Sequence, residues 1–353
     1  MNIELSNSPV EQALYAWPRV SLGHLPTPLE LMPRLSAVVE GHTLAIKRDD
    51  CSGLATGGNK VRQLEYYLGD AIAQGADVVL STGALQSNYM RTLAASAAKL
   101  GLECHIQLES RVKIDNKDYF ESGNVLLDRM FGANIHYYNG SGDEFDADRV
   151  IRQIAEDLAS QGRKPYIVPL APVEKPRGAL GYVSCAAELL SQFDAMNWVP
   201  DLVVTGSGSG LTHAGLLTGL RLAGHKVPVL GVCVRREASL QQGRIVETCR
   251  KVEAMLDCGE VVSDSDVWVD DRALHPGYGQ ATEHVLRAIR DVAGNEGILL
   301  DPVYSGKTAA CMLMAIESGD LASFKNILML HTGGTPAIFA YKDILMQSEV
   351  FNN

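Results

Sequence analysis

The chain has 353 residues, of which 46% are hydrophobic and 21% charged, an ordinary globular balance that allows about two domains and a sizeable buried core. A net charge of −11 lacks the basic footprint that nucleic-acid binding requires, so a nucleic-acid partner is not expected. No stretch approaches the ~20 consecutive apolar residues of a membrane span, and the opening MNIELSNSPVEQALYAWPR lacks the basic-then-apolar pattern of a signal peptide.

The seven cysteines are irregularly spaced with no C-x-x-C, which favours free thiols over a disulfide framework or a zinc site. A cytoplasmic setting without a metal is the expectation.

In chain order, Thr56-Gly-Gly-Asn-Lys60 precedes a helical pattern carried by Leu64, Tyr67, Leu68, Ala71 and Ile72. Ala76–Gly83 reads as a strand and Ser87–Leu100 as a helix; Glu103–Ser110 reads as the next strand and Asn124–Gly132 as the next helix. Asp201–Gly206, Val227–Val234 and Asn326–Gly334 each read as a strand followed by a helical stretch. Strands alternating with helices imply parallel sheet, since parallel neighbours need a crossover, and the apolar strands imply sheets covered on both faces. The fold class is therefore α/β. No linker-like composition marks a domain boundary.

Three loops have residue types suited to ligands. Glycines before Lys60 permit close backbone approach, so its amine can be presented to a ligand; a solvated lysine opening a helix fits the same residues. In Gln86-Ser87-Asn88-Tyr89, Ser87 and Asn88 are N-cap types, and a helix start can also take a substrate carboxylate. Thr205-Gly206-Ser207-Gly208-Ser209-Gly210-Leu211-Thr212 joins an apolar strand to a helix, a possible phosphate cradle, although it is neither a Walker loop nor a G-x-G-x-x-G fingerprint. Each loop alone is ambiguous. Together, an amine, a carboxylate site and a phosphate site describe a pyridoxal 5′-phosphate enzyme acting on a small amino acid.

At this point the sequence resembles the D-cysteine desulfhydrase and 1-aminocyclopropane-1-carboxylate deaminase family of fold-type-II pyridoxal-phosphate enzymes, and L-cysteate sulfo-lyases are similar too. The resemblance runs from about Pro18 to about Tyr341 and rests on LPTPLE, IKRDDCSGLATGGNK, GALQSN, GSGSGLTHAGL, LDPVYSGK and HTGGTPA, in that order. It implies two open, twisted, mostly parallel sheet domains of tryptophan synthase β-like architecture. The large one would comprise residues 1–62 and 171–353, and the small one 63–170. It also implies a homodimer.

The same resemblance implies that Lys60 holds the cofactor as a Schiff base and serves as the catalytic base, that Asn88 meets the ring hydroxyl, and that Gly206 to Thr212 holds the phosphate. Thr332 would lie near the ring nitrogen. Gln86, Ser87, Asn88 and Tyr89 would meet the substrate, Ser87 taking its carboxylate, and Tyr278 and Tyr304 match the family's two active-site tyrosines. The implied reaction is loss of a Cβ substituent to give pyruvate and ammonia, with a sulfur fragment in the cysteine case.

Departures bear on the branch. Ser305 stands where the cyclopropane deaminases have glutamate, and Thr332 stands where they have an apolar residue, which favours the desulfhydrase side. Gln63, Leu211, Tyr89-Met90 and the 171–176 turn also depart from the pattern, so the leaving group can differ from thiol. L-cysteate sulfo-lyase, cyclopropane deaminase, an amino-acid racemase and a catalytically silent cofactor binder remain alternatives.

Overall fold

The structure, a computed structural model, describes residues 8–352 except 113, 140–142 and 171–172. Among the described residues, ten strands form two sheets: β1 (Leu29–Leu31), β2 (Thr43–Arg48), β3 (Val78–Ala84), β4 (Glu103–Glu109), β5 (Asn134–Tyr138), β6 (Pro165–Ile167), β7 (Leu202–Ser207), β8 (Val229–Cys233), β9 (Val267–Asp270) and β10 (Asn326–His331). The larger sheet has the order β1-β2-β10-β7-β8-β9 and the smaller β5-β4-β3-β6. All pairs are parallel except β1 with β2. The α/β class with two mostly parallel sheets is as the sequence implied.

Strand and helix expectations match to within about two residues where an apolar run marks the element, except that the strand expected over Asn326–Gly334 ends at His331. Every residue of β3 is buried, as helices covering both faces require. The unexpected strands carry little apolar pattern. β5 and β9 are half-exposed edges, and β6 begins with Pro165, tolerated because an edge strand need not donate on its open side. β2 was obscured by Lys47, which is fully buried because Glu188, Gln192 and the Thr27 carbonyl satisfy its amine.

Two apolar clusters sandwich the larger sheet, one including Ile46, Val204 and Met329 and the other Ala45, Val203 and Leu330. A third, around Leu64, Val79, Leu93 and Ile106, fills the smaller unit and reaches Val303 and Tyr341 from the larger. The helix Asn59–Ala73 runs through the expected boundary at residue 62, so the chain crosses between the sheets within a helix. No linker composition could mark such a crossing. Two residues beyond Lys60, Arg62 is buried and bonded to Asp49 and Glu188, both at 2.9 Å. Removing one partner of such a buried network costs about 3–5 kcal/mol, so this helix start is firmly seated.

Candidate active site

One cavity lies beyond the carboxyl ends of β3, β7 and β10, where an open parallel sheet leaves helix starts facing a crevice. The cavity is lined by residues of both sheet units.

Lys60 is the second residue of its helix. Gly57 and Gly58 before it have φ of +70° and +118°, and a Cβ on Gly57 would sit 1.9 Å from the Asp50 carbonyl oxygen, so no other residue fits there. The Asn59 amide donates to the Thr332 carbonyl at 3.0 Å, seating this turn on the segment after β10. The Lys60 amine lies 3.4 Å from Gln63 Oε1 and 5.3 Å from the centre of the Tyr89 ring. Burial pushes its pKa down to about 8. Such an amine is a far better nucleophile and base at neutral pH than a surface lysine.

Ser87 caps the helix Asn88–Leu100, its hydroxyl accepting from the amides of Tyr89 and Met90 at 3.2 and 3.4 Å. Asn88 Oδ1 accepts from Arg91 Nη1 at 3.0 Å and Asn124 Nδ2 at 3.1 Å. Two donors on the oxygen fix the amide orientation and leave its NH2 to donate elsewhere. Arg91 also donates to the Gly57 carbonyl at 2.8 Å, so one guanidinium ties the Asn88 helix to the turn before Lys60. The Tyr89 hydroxyl is buried with no hydrogen-bond partner, and burial holds its pKa well above the ordinary phenol value.

Gly206, Gly208, Ser209, Gly210, Leu211 and Thr212 also line the cavity, with the helix running Leu211–Leu222. Gly210 has φ +101°. The first amides of this helix have no acceptor inside it, which makes its start an anion site. Thr212 Oγ1 accepts from Asn59 Nδ2 at 2.9 Å and Gln63 Nε2 at 3.0 Å, leaving its own proton to donate. Gln63, the departure from a lysine, therefore supports the hydroxyl without adding charge.

Tyr278 and Tyr304 also line the cavity, and burial raises both phenol pKa values, that of Tyr304 strongly. Tyr304 is set by Asp301, whose Oδ2 accepts from the Tyr304 amide at 2.9 Å. Tyr278 belongs to a segment held by Lys307, whose buried amine donates to the carbonyls of Leu274 and Gly277 at 2.7 and 2.8 Å. Thr332 lines the cavity as well.

Two expected residues are turned away. The Gln86 amide donates to the carbonyls of Tyr119 and Ser122 and accepts from the Asn124 amide, so it holds a neighbouring turn and does not line the cavity. The Ser207 hydroxyl is buried against His213 Nδ1 and Gln241 Nε2, so it does not face the cavity, and any contact from this residue would be by its backbone. Ser305 does not line the cavity either; its hydroxyl donates to Asp301 Oδ1 at 2.7 Å. Of the 171–176 turn, Ala171 and Pro172 lie outside the described residues, while Val173 and Pro176 line the cavity. Sequence reasoning missed Arg91, Asn124 and Lys307, because a supporting residue carries no motif of its own; Lys307 lay in the quoted LDPVYSGK without a role.

The family described as pyridoxal-phosphate dependent enzyme matches residues 20–333. A D-cysteine desulfhydrase of Yersinia enterocolitica is 40% identical over 332 residues, covering 94% of this chain and 98% of that protein. The D-cysteine desulfhydrase of Salmonella typhi is 37% identical over 328 residues, covering 93% and 97%. Among solved structures, an ACC deaminase homologue superposes with a TM-score of 0.85 at 35% identity, covering 96% of this chain and 98% of that one. A pyridoxal 5′-phosphate-dependent aspartate racemase superposes at 0.64 with 15% identity, a likeness of fold.

Proposed function

Because the chain belongs to the pyridoxal-phosphate dependent enzyme family, we propose that its cavity eliminates a Cβ substituent from a small α-amino acid, releasing pyruvate and ammonia, with D-cysteine as the first substrate to test. The observation that carries this reading is the convergence of a depressed lysine amine, a capped helix start at Ser87 and a second helix start at Gly210–Thr212 on one cavity.

The residues fit the cofactor on their own chemistry. Lys60 offers an amine for its aldehyde, and the glycine-rich helix start with the Thr212 hydroxyl suits its phosphate. Asn88, its oxygen already occupied, offers NH2 to the ring hydroxyl, and Thr332 a hydroxyl to the ring nitrogen. Bound there, pyridoxal 5′-phosphate supplies a carbonyl for amine attachment and a conjugated ring over which negative charge from Cα spreads.

The protein's own groups do the rest. Ser87 and the amides beside it bind the substrate carboxylate, orienting the Cα–H bond. The Lys60 amine takes the Cα proton, a role suited to a base near neutral pH. The Cβ–sulfur bond breaks with its electron pair leaving on sulfur. Tyr278 and Tyr304 stay protonated at neutral pH, so they donate to that departing group and do not act as bases. Water then completes the products.

The division into units 1–62 with 171–353 and 63–170 is supported by the two sheets, with the cavity between them. A homodimer in the cytoplasm completes the reading. Exposed Leu126, Met130 and Phe339, on helices that pack together, support the dimer, and light scattering on purified protein tests it. Among the described residues, no helix is long and apolar enough to cross a membrane.

The decisive assay follows pyruvate, ammonia and sulfide from D-cysteine, with L-cysteine, 3-chloro-D-alanine and the cyclopropane amino acid alongside. Equal yields of the three products support elimination. Cα deuterium exchange with optical inversion and no pyruvate overturns it in favour of a racemase.

A further inference from the structure

Two positions at which the sequence departs from the family pattern, Gln63 and Tyr89, meet at one atom. The Lys60 amine lies 3.4 Å from Gln63 Oε1 and over the face of the Tyr89 ring, 5.3 Å from its centre. The two residues reach it from different helices, Asn59–Ala73 and Asn88–Leu100. Each is held independently of the lysine. Gln63 Nε2 donates to Thr212 Oγ1 at 3.0 Å, which leaves its carbonyl oxygen to accept from the amine, and Tyr89 packs against the apolar cluster of the smaller unit. Among the described residues, no carboxylate is paired with this amine. The charged side chains elsewhere in the cavity wall, Arg111, Glu144, Arg235, Arg244, Glu247 and Lys251, leave no mark on it, and burial alone shifts it.

These surroundings bear on the proton that Lys60 has to carry. When a substrate amine takes the cofactor, Lys60 is freed as a neutral amine. Its lone pair then bonds the Cα proton, the C–H electron pair becomes the Cα–Cβ double bond, and the leaving group departs with its own pair. The proton later passes to that group or to water. Between those two transfers Lys60 is an ammonium with no counter-ion, and a buried cation without partners is strongly disfavoured. The negative face of an aromatic ring within about 6 Å attracts such a cation, and an amide oxygen accepts one of its N–H bonds. A carboxylate in their place would lift the amine well above neutral pH and make it slow to release the proton. A ring and a neutral oxygen hold the charge lightly, as a base that must be regenerated at each turnover requires.

We propose that the Tyr89 ring, together with Gln63 Oε1, is a station for the freed Lys60 amine, holding it as an ammonium while it carries the Cα proton. The inference rests on Lys60 as anchor and base in the elimination reading and adds Tyr89 to it as a positioning residue. Tyr89 acts through Lys60 and by the face of its ring. Its hydroxyl, buried with no hydrogen-bond partner, has no part in this role. A Tyr89 that served by hydrogen-bonding the substrate would show the reverse dependence, on the hydroxyl and not on the ring.

The test separates ring from hydroxyl. In cofactor-free protein, the pH midpoint of Schiff-base formation should fall by about one unit in Tyr89→Leu, a ten-fold loss in the amine's hold on its proton and the size of a desolvated cation–ring contact. Tyr89→Phe should keep the wild-type midpoint. In the cofactor-loaded enzyme, Tyr89→Leu should slow exchange of the substrate's Cα proton by about ten-fold, and Tyr89→Phe should recover most of that loss. Wild-type protein isotope-labelled at the lysine Cε gives a reading that stands even if Tyr89→Leu fails to fold. One resonance, missing in Lys60→Ala, should have its methylene protons shifted upfield of the other lysines, because a ring shields what lies over its face. An unchanged midpoint in folded Tyr89→Leu, equal shifts in Tyr89→Leu and Tyr89→Phe, or a Lys60 resonance with no upfield shift overturns the station while leaving elimination intact. If borohydride fixes no cofactor on Lys60, both readings fall.

Discussion

The hydroxyls of Tyr278 and Tyr304 meet at 2.8 Å, with their rings edge to face at 5.9 Å, although one residue follows the His275–Pro276 turn and the other opens the helix Ser305–Glu317. Two phenols sharing one hydrogen bond have a second proton left to give to a third group. Tyr278→Phe and Tyr304→Phe should each slow pyruvate release. The double variant should lose less than the sum of the singles, by about 0.5–3 kcal/mol, as residues in one network do. Additive losses in a double-mutant cycle on kcat/KM would show that the pair does not act as a unit.

Ser87 has two jobs that substitution can separate. Its hydroxyl caps a helix, so Ser87→Ala should lower stability by about 1 kcal/mol, while Ser87→Gly should lose only a few tenths. Both remove the proposed carboxylate contact and should cost about 1–3 kcal/mol in kcat/KM, the scale of a hydrogen bond to a charged group. Urea denaturation read beside kinetics checks the split. If activity follows stability across the two variants, Ser87 only caps.

How much of this was legible in the sequence depended on what each residue faces. Strands such as β3 and β7 were visible because both faces are apolar, whereas β2 was not, because a fully buried Lys47 hides within it and only its distant partners Thr27, Glu188 and Gln192 explain its burial. The glycine turns and the cap at Ser87 were readable because backbone geometry demands particular residue types there. Gln86 could not be told from its neighbour for a related reason. Standing next to the cap in the same motif, it looks equivalent to Ser87, yet the turn at the end of β3 points it towards Tyr119 and Ser122. Arg91 was unreadable, since its contacts with Gly57 and Asn124 join residues far apart along the chain.

Arg91 offers a third test, because one side chain orients Asn88 and also holds the Gly57 carbonyl. Arg91→Lys keeps the charge but loses the planar fork that reaches both. Retention of pyridoxal 5′-phosphate, measured by equilibrium dialysis, should fall by about 1–2 kcal/mol through loss of an oriented Asn88 amide. Unchanged retention in a folded Arg91→Lys protein would remove Arg91 from the account of the site.

A free lysine titrates near 10.4, so at pH 8 fewer than about one in a hundred is unprotonated. Burial pushes Lys60 down to about 8, so half of its amines are unprotonated at that pH. Only the unprotonated amine attacks an aldehyde. The rate at which cofactor-free protein forms its visible Schiff-base absorbance should therefore rise with pH, pass its midpoint near 8 and level off above. Borohydride should fix the cofactor on the peptide containing Lys60, and Lys60→Ala should lose both the trapped label and turnover. The same shift has a sign for stability. Between about 8 and about 10.4 the unfolded lysine holds a proton that the folded one has released, so cofactor-free protein gains stability as pH rises through that window. Burial pushes Lys307 to about 8 as well and adds a slope of the same sign, so the contribution of Lys60 is the part of the slope that disappears in Lys60→Met. A reconstitution profile with its midpoint near 10 would mean that the Lys60 amine is solvated, and its roles as cofactor anchor and base at neutral pH would lose their physical ground.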